Sequence, residues 1–540
     1  MVKFSNVGRK FMPKVWSIIK RKEKDLQKHL LSIRDVKSKK DSDEFFDPKI
    51  ENYLKEFEIQ NLKKAVERIK SAIDKKEQIF IYGDYDVDGV SASAVMYLGL
   101  KKIGASVLPY IPHREKEGYG LSKTGIDEIK KKDAKLIITV DNGIVALEQV
   151  KYAKDLGIDV IITDHHTPLD TLPDADVIVH STAICGAAVA WCLIRKLVDE
   201  KTAKELLQFV SLGTIADMMP LLGVNRSLIV EGLRQLNTTT NIGLKALILE
   251  SGLELGKISS FEIGFVLGPR LNAIGRLEHA LDALRLLCTK DLLKATKLSR
   301  LLCDMNSKRQ NLTQIAFDEA RLQVQESKKI FVLGSQMWNP GIIGLVAARI
   351  TEEFARPSIA ISIGEAMAKG SARSIKGINI IEALRSVSPL LSEVGGHSGA
   401  AGFSIESTKI EEFRIKLEEY FKSVNIDEAV SALEIEAEVE KDELTKKTAK
   451  MIAELEPFGI GNPKPLLMTK NLKVSDIRTL SNGKHIKFRA NNIDVIGFGM
   501  GELANQLKDG QLVDLAYYLE INKFNGSENL QLRLKDLKIK

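Results

Sequence analysis

The stretch QIFIYGDYDVDGVS, residues 78–91, decides how the first domain is built. An apolar run of the length of a buried strand is followed by Asp84, Asp86 and Asp88 at alternate positions, and then by Gly89. Four similar runs follow, each ending in polar residues and separated by helix-like segments: ASVLPYIPH, KLIITVDNG, DVIITDHH and ADVIVHS. This alternation predicts βαβ units and a parallel sheet buried on both faces, a doubly wound α/β fold.

Changes in pattern along the rest of the chain predict further segments. The stretch 280–323 has apolar residues at three- and four-residue spacing without glycine or proline, which predicts a long connecting helix or a helix pair. Period-two alternation near the C-terminus predicts about five strands of a small antiparallel barrel. The expected segments are a peripheral helical region (1–60), the first α/β domain (61–230), a helical connector (231–328), a second α/β domain (329–428) and the barrel (429–540).

Length and composition exclude several classes of protein. A chain of 540 residues is too long to fold around a single hydrophobic core. Its content of 44% hydrophobic and 28% charged residues is typical of globular proteins. No apolar run approaches the roughly 20 residues of a membrane span, and the basic N-terminus lacks the pattern of a secretory signal. We therefore expect a cytoplasmic protein without membrane contact. The net charge of +7 permits a polyanionic partner, and the four cysteines, which form no CxxC pair, are expected to be structural.

Two familiar loops resemble residues 84–89 in part. Asp84, Asp86, Asp88 and Gly89 match the first half of a calcium-binding EF-hand loop, but Val95 stands where the bidentate glutamate should be, and a strand precedes the loop. The sequence DVDGV also resembles the nucleophile loop of haloacid-dehalogenase phosphatases. That interpretation leaves Asp84 and the polar ends of the later strands unexplained.

Those later strand ends carry more acids and two histidines. Asp141 follows one strand, Asp164, His165 and His166 follow the next, and Asp217 lies in a separate LGTIADMMP segment. Strand ends of an open parallel sheet meet at one crevice, and Asp84, Asp86 and Asp88 would share a face if their strand continued that far. So many carboxylates would repel each other unless cations neutralised them. Carboxylates with one imidazole favour Mn²⁺ or Mg²⁺ over zinc.

With these motifs the chain resembles the DHH phosphoesterase superfamily, and within it the RecJ-type single-strand-specific exonucleases. The resemblance runs from about residue 78 to the C-terminus. It includes the segments IPHREKEGYGLS, GPRLNAIGRLEHA, NPGIIGLVAARI, KGSARSIKGINI, GGHSGAAG and LEPFGIGNPKP. It implies a DHH domain joined by a long helix to a DHH-associated α/β domain, followed by an OB-type barrel.

The resemblance also implies the metal site. One cation would be held by Asp84, Asp86 and Asp141, and the other by Asp88, Asp141, His165 and Asp217. His166 would contact the scissile phosphate, and Asp164 would orient a histidine. Two cations about 3.5 to 4 Å apart would stabilise both the attacking and the leaving oxygen of an in-line displacement.

A second set of residues would face the nucleic acid, with Arg373 as the first choice for the 5′-terminal phosphate. The set is Arg114, Tyr119, Arg276, Ser371, Arg373, Gly395, Gly396 and His397. In the barrel, stacking candidates are Phe488, Tyr517, Tyr518 and Phe524, of which about half must point inward as core. The chain departs from the family pattern at His180 and Ser181, where Asn-Pro is common, and at Asn339, where histidine is frequent.

The implied activity is a two-metal 5′ to 3′ exonuclease that degrades single-stranded DNA in repair and recombination. A phosphodiesterase for short oligonucleotides or RNA is one alternative, and a non-catalytic replication scaffold is another. The implied partners are single-stranded DNA, a single-strand-binding protein and a helicase, with the enzyme itself a monomer. The 5′ to 3′ direction of degradation is implied by the family resemblance alone.

Overall fold

The structure is a computed structural model that describes residues 15–56, 59–113, 117–426, 432–524 and 526–540. It divides into two compact units. One combines the described residues before 49 with those after 430, and the other runs from Lys49 to the described residues before 431. We call them the barrel unit and the catalytic unit.

The strands, in chain order, are β1 (Trp16–Ile18), β2 (Gln78–Tyr82), β3 (Val107–Tyr110), β4 (Ala134–Val140), β5 (Asp159–Asp164), β6 (Val177–His180), β7 (Phe331–Ser335), β8 (Ser358–Ile363), β9 (Met367–Arg373), β10 (Leu391–His397), β11 (Ala400–Glu406), β12 (Leu433–Ile435), β13 (Ala437–Glu438), β14 (Leu467–Leu480), β15 (His485–Ala490), β16 (Ile493–Gly497), β17 (Leu512–Phe524) and β18 (Ser527–Ile539).

The helices are α1 (Leu26–Ser32), α2 (Lys39–Phe46), α3 (Ile50–Glu56), α4 (Leu62–Asp74), α5 (Val87–Lys102), α6 (Lys123–Lys130), α7 (Leu147–Asp155), α8 (Gly186–Ile194), α9 (Glu200–Ala216), α10 (Gly223–Asn237), α11 (Ile242–Glu250), α12 (Ser260–Glu262), α13 (Gly268–Leu277), α14 (Leu281–Cys288), α15 (Leu292–Gln323), α16 (Ile343–Phe354), α17 (Ile380–Ser386), α18 (Ile410–Lys422) and α19 (Lys446–Ala453). A π-helical turn, Ile263–Leu267, joins α12 to α13.

The first sheet of the catalytic unit is parallel throughout, with the order β3-β2-β4-β5-β6. Successive residues of each strand face opposite cores. In β2, Ile79 and Ile81 pack against one core, while Phe80 and Tyr82 pack against the other. The strand order reverses between β2 and β4, and ligands of open α/β sheets bind outside the strand ends at such a switch point.

Helix α5 begins at that switch point because of its sequence. The side chain of Asp86 caps it by accepting a hydrogen bond from the Gly89 amide at 3.0 Å. From Val87 to Met96 every residue is buried, and the small residues among them let the helix pack closely on all sides. Strand β2 ends at Tyr82, so the three aspartates lie on a turn and a helical start and do not share the face of an extended strand.

Helix α15 connects the two halves of the catalytic unit. It has 32 residues, which makes it about 48 Å long at 1.5 Å per residue. Leu298 and Leu302 lie in the core beside the first sheet, and Phe317 and Ala320 lie in a core with β7, β8 and α16. The second sheet has the order β10-β11-β9-β8-β7, with only the β7–β8 pair parallel.

The barrel unit closes into a ring of five strands, β14-β15-β16-β18-β17, in which β17 pairs back onto β14. The N-terminal segment belongs to this unit, because β1 pairs with β12. Arg34 carries this attachment. It makes hydrogen bonds to both carboxylate oxygens of Glu436 at 2.8 and 3.2 Å and to Asn462 Oδ1 at 2.7 Å.

The predicted fold class is confirmed: a doubly wound parallel sheet, a long helix, a second α/β region and a C-terminal barrel. All five strands predicted for the first sheet are present, and the predicted helical stretch 280–323 forms the pair α14 and α15. In the described parts of the chain, every helix is too short or too polar to cross a membrane.

Replacing Arg34 with alanine tests the attachment of the N-terminal segment. The change leaves Glu436 buried without its cation, so we expect the barrel unit to lose about 3–5 kcal/mol of unfolding free energy. Urea denaturation followed by hydrogen exchange in peptides from 432–540 measures this loss. Lys37→Ala is the matched control, because Lys37 pairs with Asp35 in an exposed ion pair. Equal stability of the two variants would contradict the prediction.

Candidate metal centre and adjoining cavity

The acids of the first sheet converge at its switch point. Asp84 follows β2, Asp141 follows β4 and Asp164 ends β5, and all three side chains are buried. Asp217 directly follows α9 as its C-cap residue and completes the crevice from the helical side. The sequence prediction that these strand ends meet is therefore correct in geometry.

Backbone amides hold the Asp88 carboxylate. Its Oδ2 accepts a hydrogen bond from the Gly186 amide at 2.6 Å, and its Oδ1 accepts one from the Ala187 amide at 3.0 Å. Both amides belong to the first turn of α8, where the helix dipole favours a negative charge. The two amides thus fix the position of the Asp88 side chain.

Glycines allow the carboxylates to approach the surrounding backbone. A Cβ at Gly213 of α9 would lie 2.1 Å from Asp88 Oδ1, and one at Gly186 would lie 2.5 Å from Asp141 Oδ1. Asp141 itself has a φ of 63°, a left-handed conformation that is rare outside glycine. Such backbone strain is characteristic of functional sites.

His165 lies among these carboxylates. Its Nε2 is 3.0 Å from Asp141 Oδ1 and 3.8 Å from Asp88 Oδ2. Its Nδ1 is 3.8 Å from Asp217 Oδ2. Burial lowers the pKa of His165 below its ordinary value despite the neighbouring acids, so the ring is neutral at physiological pH and able to act as a ligand.

His166 is held by Asp164 and Tyr119. Asp164 Oδ1 lies 2.7 Å from His166 Nδ1, and the Tyr119 hydroxyl lies 3.2 Å from the same ring. Burial lowers the pKa of His166, but the hydrogen bond with Asp164 and the charges of Asp164, Asp217 and Asp86 together outweigh it, and the net shift is upward. Burial raises the pKa of Asp164, but the hydrogen bond and charge of His166, together with the backbone amides of Ile144 and His166, outweigh it, and the net shift is downward. His166 is therefore able to carry a positive charge toward an anionic substrate.

Three groups of ligand atoms lie close enough together to hold a cation, with the atoms of each group within 4.8 Å of one another. They are Asp84, Asp86 and Asp141; Asp88, His165 and Asp217; and Asp141, His165 and His166. Asp141 belongs to two of them, which places it between the other ligands.

The donor set fits divalent cations. Asp141 Oδ1 accepts no hydrogen bond from the described residues, although the His165 nitrogen faces it at 3.0 Å. Two such atoms side by side are the arrangement expected of two ligands of one ion. Burial and the charges of Asp88 and Asp86 raise the pKa of Asp141 well above its ordinary value, and they raise the pKa of Asp217 to about 7. A cation would relieve this repulsion.

A cavity of about 550 Å³ lies beside the metal centre. Its lining includes Tyr85, the residue between Asp84 and Asp86. It also includes four of the predicted substrate residues, Arg276, Ser371, Arg373 and Gly395. Arg373 donates to Ser371 Oγ at 3.0 Å, and burial lowers the pKa of its guanidinium. Arg276 donates to the Gly341 carbonyl at 3.2 Å, which joins α13 to the loop before α16.

The other predicted substrate residues have different places. Tyr119 lies over the metal centre, as described. Gly396 and His397 continue β10 beyond the cavity, and the exposed His397 begins the hairpin turn to β11. Arg114 lies outside the described residues. In the barrel, the candidates Phe488 and Tyr517 are fully buried, Tyr518 stacks under Arg533 with 4.6 Å between the guanidinium carbon and the ring centre, and the side chain of Phe524 lies outside the described part.

Sequence reasoning missed several residues that shape the site. Glu117 accepts hydrogen bonds from the Tyr110 and Ser122 hydroxyls at 2.8 and 3.0 Å and so closes the loop that carries Tyr119. Lys369 adds a third cationic side chain to the cavity wall, beside Arg276 and Arg373. His180 binds the main chain of His166. Of these, Glu117 had a sequence signal, an acid within a polar loop that follows a strand.

Comparison with known proteins identifies the family. Models described as the DHH family N-terminal domain, the DHHA1 domain and the RecJ OB domain match residues 78–214, 327–423 and 435–536. The single-stranded-DNA-specific exonuclease RecJ of Salmonella typhimurium is 32% identical over 529 residues, covering 89% of this chain and 90% of that protein. The chain belongs to the RecJ family.

Two further RecJ proteins add to this. The RecJ of Bacillus subtilis is 38% identical over 517 residues, which cover 92% of this chain; the chain spans only 64% of the length of that relative. The crystal structure of Thermus thermophilus RecJ in complex with Mn²⁺ matches with a TM-score of 0.83 and 29% identity, covering 97% of this chain and 79% of that one.

Replacing Gly213 with alanine tests how the Asp88 carboxylate is seated. The new methyl group would displace Asp88, so we expect Mn²⁺ affinity to fall about 10- to 100-fold while the fold is retained. Isothermal titration calorimetry measures the affinity, and circular dichroism checks the fold. Gly264→Ala is the matched control, because its Cβ would meet only Ile215 at an ordinary 3.5 Å. Unchanged affinity in Gly213→Ala would contradict the geometry.

Cation binding is expected to release protons in the neutral pH range. Because the pKa of Asp217 is raised to about 7, the metal-free folded chain holds a proton there between the ordinary acid value and pH 7. In that window the stability of the metal-free protein falls as the pH rises. Mn²⁺ must displace this proton, so its affinity should increase from pH 6 to pH 8.

Calorimetry at pH 6 in buffers of different ionisation enthalpy measures the released protons. The count should be larger at pH 6 than at pH 8, and it should fall in Asp217→Asn but not in Asp304→Asn, which changes an exposed acid on α15. A proton count that is the same at both pH values would refute the assignment.

Proposed function

We propose that the protein is a 5′ to 3′ exonuclease that removes nucleotides from single-stranded DNA in repair and recombination. The observation that carries the proposal is the cluster of carboxylates and histidines at the switch point, beside a basic cavity. Membership of the RecJ family supports it, since the relatives are named single-stranded-DNA-specific exonucleases.

The groupings in the crevice support a division of the ligands. Asp84, Asp86 and Asp141 would hold one cation, and Asp88, Asp141, His165 and Asp217 the other, with Asp141 shared. Two divalent cations, Mn²⁺ or Mg²⁺, would polarise the phosphodiester and stabilise the departing oxygen. The RecJ of Thermus thermophilus was crystallised in complex with Mn²⁺, which is consistent with this choice.

His166 would bind the scissile phosphate. Its raised pKa favours a charged ring, and Asp164 fixes which nitrogen faces Asp164 and which faces the crevice. The Tyr119 hydroxyl would keep the ring in place. These residues position the substrate and stabilise the negative charge that develops on its phosphate.

The cavity would hold the terminal 5′ phosphate. Arg373 and Ser371 offer a guanidinium and a hydroxyl on adjacent outward positions of β9, and Arg276 and Lys369 add positive charge. Tyr85 lines the cavity and lies in the sequence between two of the proposed metal ligands, which supports a phosphate site close to the metal centre. Gly396, His397 and Arg114 would contact the strand outside this cavity.

The setting of the activity is part of the proposal. We place the protein in the cytoplasm as a monomer, where a helicase supplies single strands and a single-strand-binding protein presents them. A nuclease that accepts only separated strands depends on such an unwinding activity. The exposed basic residues of the barrel, together with Tyr518, would hold the downstream strand.

Digestion of labelled nucleic acids tests the function. Single strands and duplexes of DNA and RNA, labelled at either end, are incubated with Mn²⁺, Mg²⁺ or chelator. We expect mononucleotides from the 5′ end of single-stranded DNA, with no cleavage in chelator or in Asp141→Asn. Mononucleotides released from the 3′ end would refute the polarity, and chelator-resistant cleavage would refute the metal mechanism. Preference for dinucleotides over long strands would favour the oligonucleotide phosphodiesterase, and inactivity with retained DNA binding would favour a scaffold.

The same assay with 5′-phosphate and 5′-hydroxyl strands tests the cavity. Wild type should prefer the phosphate, and Arg373→Ala should reduce that preference about ten- to a hundredfold, as expected for a lost charge-assisted hydrogen bond. Arg385→Ala, an exposed arginine of α17, is the matched control. An undiminished preference for the 5′ phosphate in Arg373→Ala would show that the phosphate binds elsewhere.

A further inference from the structure

The main chain around His166 has left the sheet. Strand β5 ends at Asp164, so the amides of His165 and His166 lack partners in the β-ladder. Both donate instead to Asp164 Oδ1, at 2.7 and 3.3 Å, and the same oxygen accepts from the His166 ring. One carboxylate thus holds the nitrogen side of this turn.

The carbonyl side of the turn is held by His180. This half-buried residue is the last of β6 and lies opposite Asp164 in the parallel pairing. Its Nε2 lies 2.7 Å from the His166 carbonyl oxygen. Because a carbonyl only accepts, Nε2 must carry the proton. The next residue, Ser181, donates its amide to the Asp164 carbonyl at 3.3 Å, which keeps β6 aligned with the turn.

We infer that His180 is a positioning residue for the reaction, which acts by fixing the His166 peptide. With the amide bound to Asp164 and the carbonyl bound to His180, the backbone on both sides of the His166 Cα is fixed. The orientation of the His166 ring is then determined by Asp164 and Tyr119 alone. The inference rests on the proposed function, because it assigns His180 to the presentation of His166 to the phosphate.

Loss of the His180 bond has a specific expected effect. The peptide after His166 would be free to rotate, and the ring would move relative to the metal ligands, while Asp88, Asp141 and His165 keep their own partners. A displacement of about 1 Å at a catalytic group lowers the rate by about 10²-fold. The turnover number should therefore fall, with KM and Mn²⁺ affinity nearly unchanged.

Three substitutions separate this role from a merely structural one. The side-chain amide nitrogen of His180→Gln reaches about as far as Nε2 and can donate to the same carbonyl. The side chain of His180→Asn is shorter than that of glutamine, and His180→Ala has no side-chain donor. We expect kcat within about threefold of wild type for Gln and about 10- to 100-fold lower for Asn and Ala. Ser181→Ala is the matched control, because its contact with Asp164 uses the main-chain amide and is retained.

A second readout is independent of activity. The protein has eight histidines, so the ring carbons of ¹³C-labelled histidine can be assigned by single substitutions. In metal-free protein the His166 signal should shift in His180→Ala and His180→Asn, and it should stay near the wild-type position in His180→Gln.

The outcomes distinguish this inference from the proposed function. Absence of nuclease activity in wild type would refute the function, while the His166 signal would still decide whether His180 positions that ring. An unshifted His166 signal in His180→Ala, or equal activity of Gln and Ala, would overturn the inference. A rise in KM at constant kcat would instead make His180 a substrate contact.

Discussion

The mutual repulsion of buried carboxylates is the constraint on which the rest of this structure depends. Asp84, Asp88, Asp141 and Asp164 are all nearly inaccessible to solvent, and charges of one sign in such a place are unfavourable unless compensated. Hydrogen bonds within the protein stabilise the charges of Asp88 and Asp164. Asp88 accepts from two amides of α8, and Asp164 accepts from three amides and an imidazole. Asp141 has a left-handed backbone and a raised pKa, and a bound cation would relieve the repulsion that raises it.

The surrounding elements are arranged so that this crowding is possible. The switch in strand order between β2 and β4 opens a gap into which α5 and α8 point their N-termini. Gly186 and Gly213 remove the methyl groups that would otherwise occupy the places of the Asp141 and Asp88 oxygens. Substitution of these two glycines is therefore expected to be poorly tolerated, although neither glycine is a proposed metal ligand.

The sequence predicted the first sheet well, because fully buried parallel strands leave continuous apolar runs. It did less well where strands are irregular. Strand β14, Leu467–Leu480, has no regular period-two pattern, since left-handed residues at Asn471 and Asp476 and two register shifts break its alternation. In the glycine-rich segment GGHSGAAG, Gly395 and Gly396 lie in β10, and the turn comes only after His397. The proposed metal ligands stood out because acids at strand ends have a simple geometry. The role inferred for His180 did not stand out, because a hydrogen bond from a side chain to the main chain of another loop does not depend on the residue type of its acceptor.

Helix α15 gives the catalytic unit an additional property. Its first half is packed beside the sheet that carries the metal centre, and its second half is packed beside the sheet that carries Arg373. A continuous helix is stiff along its axis. The spacing between the two cores is therefore set by the length of α15 that separates Leu302 from Phe317.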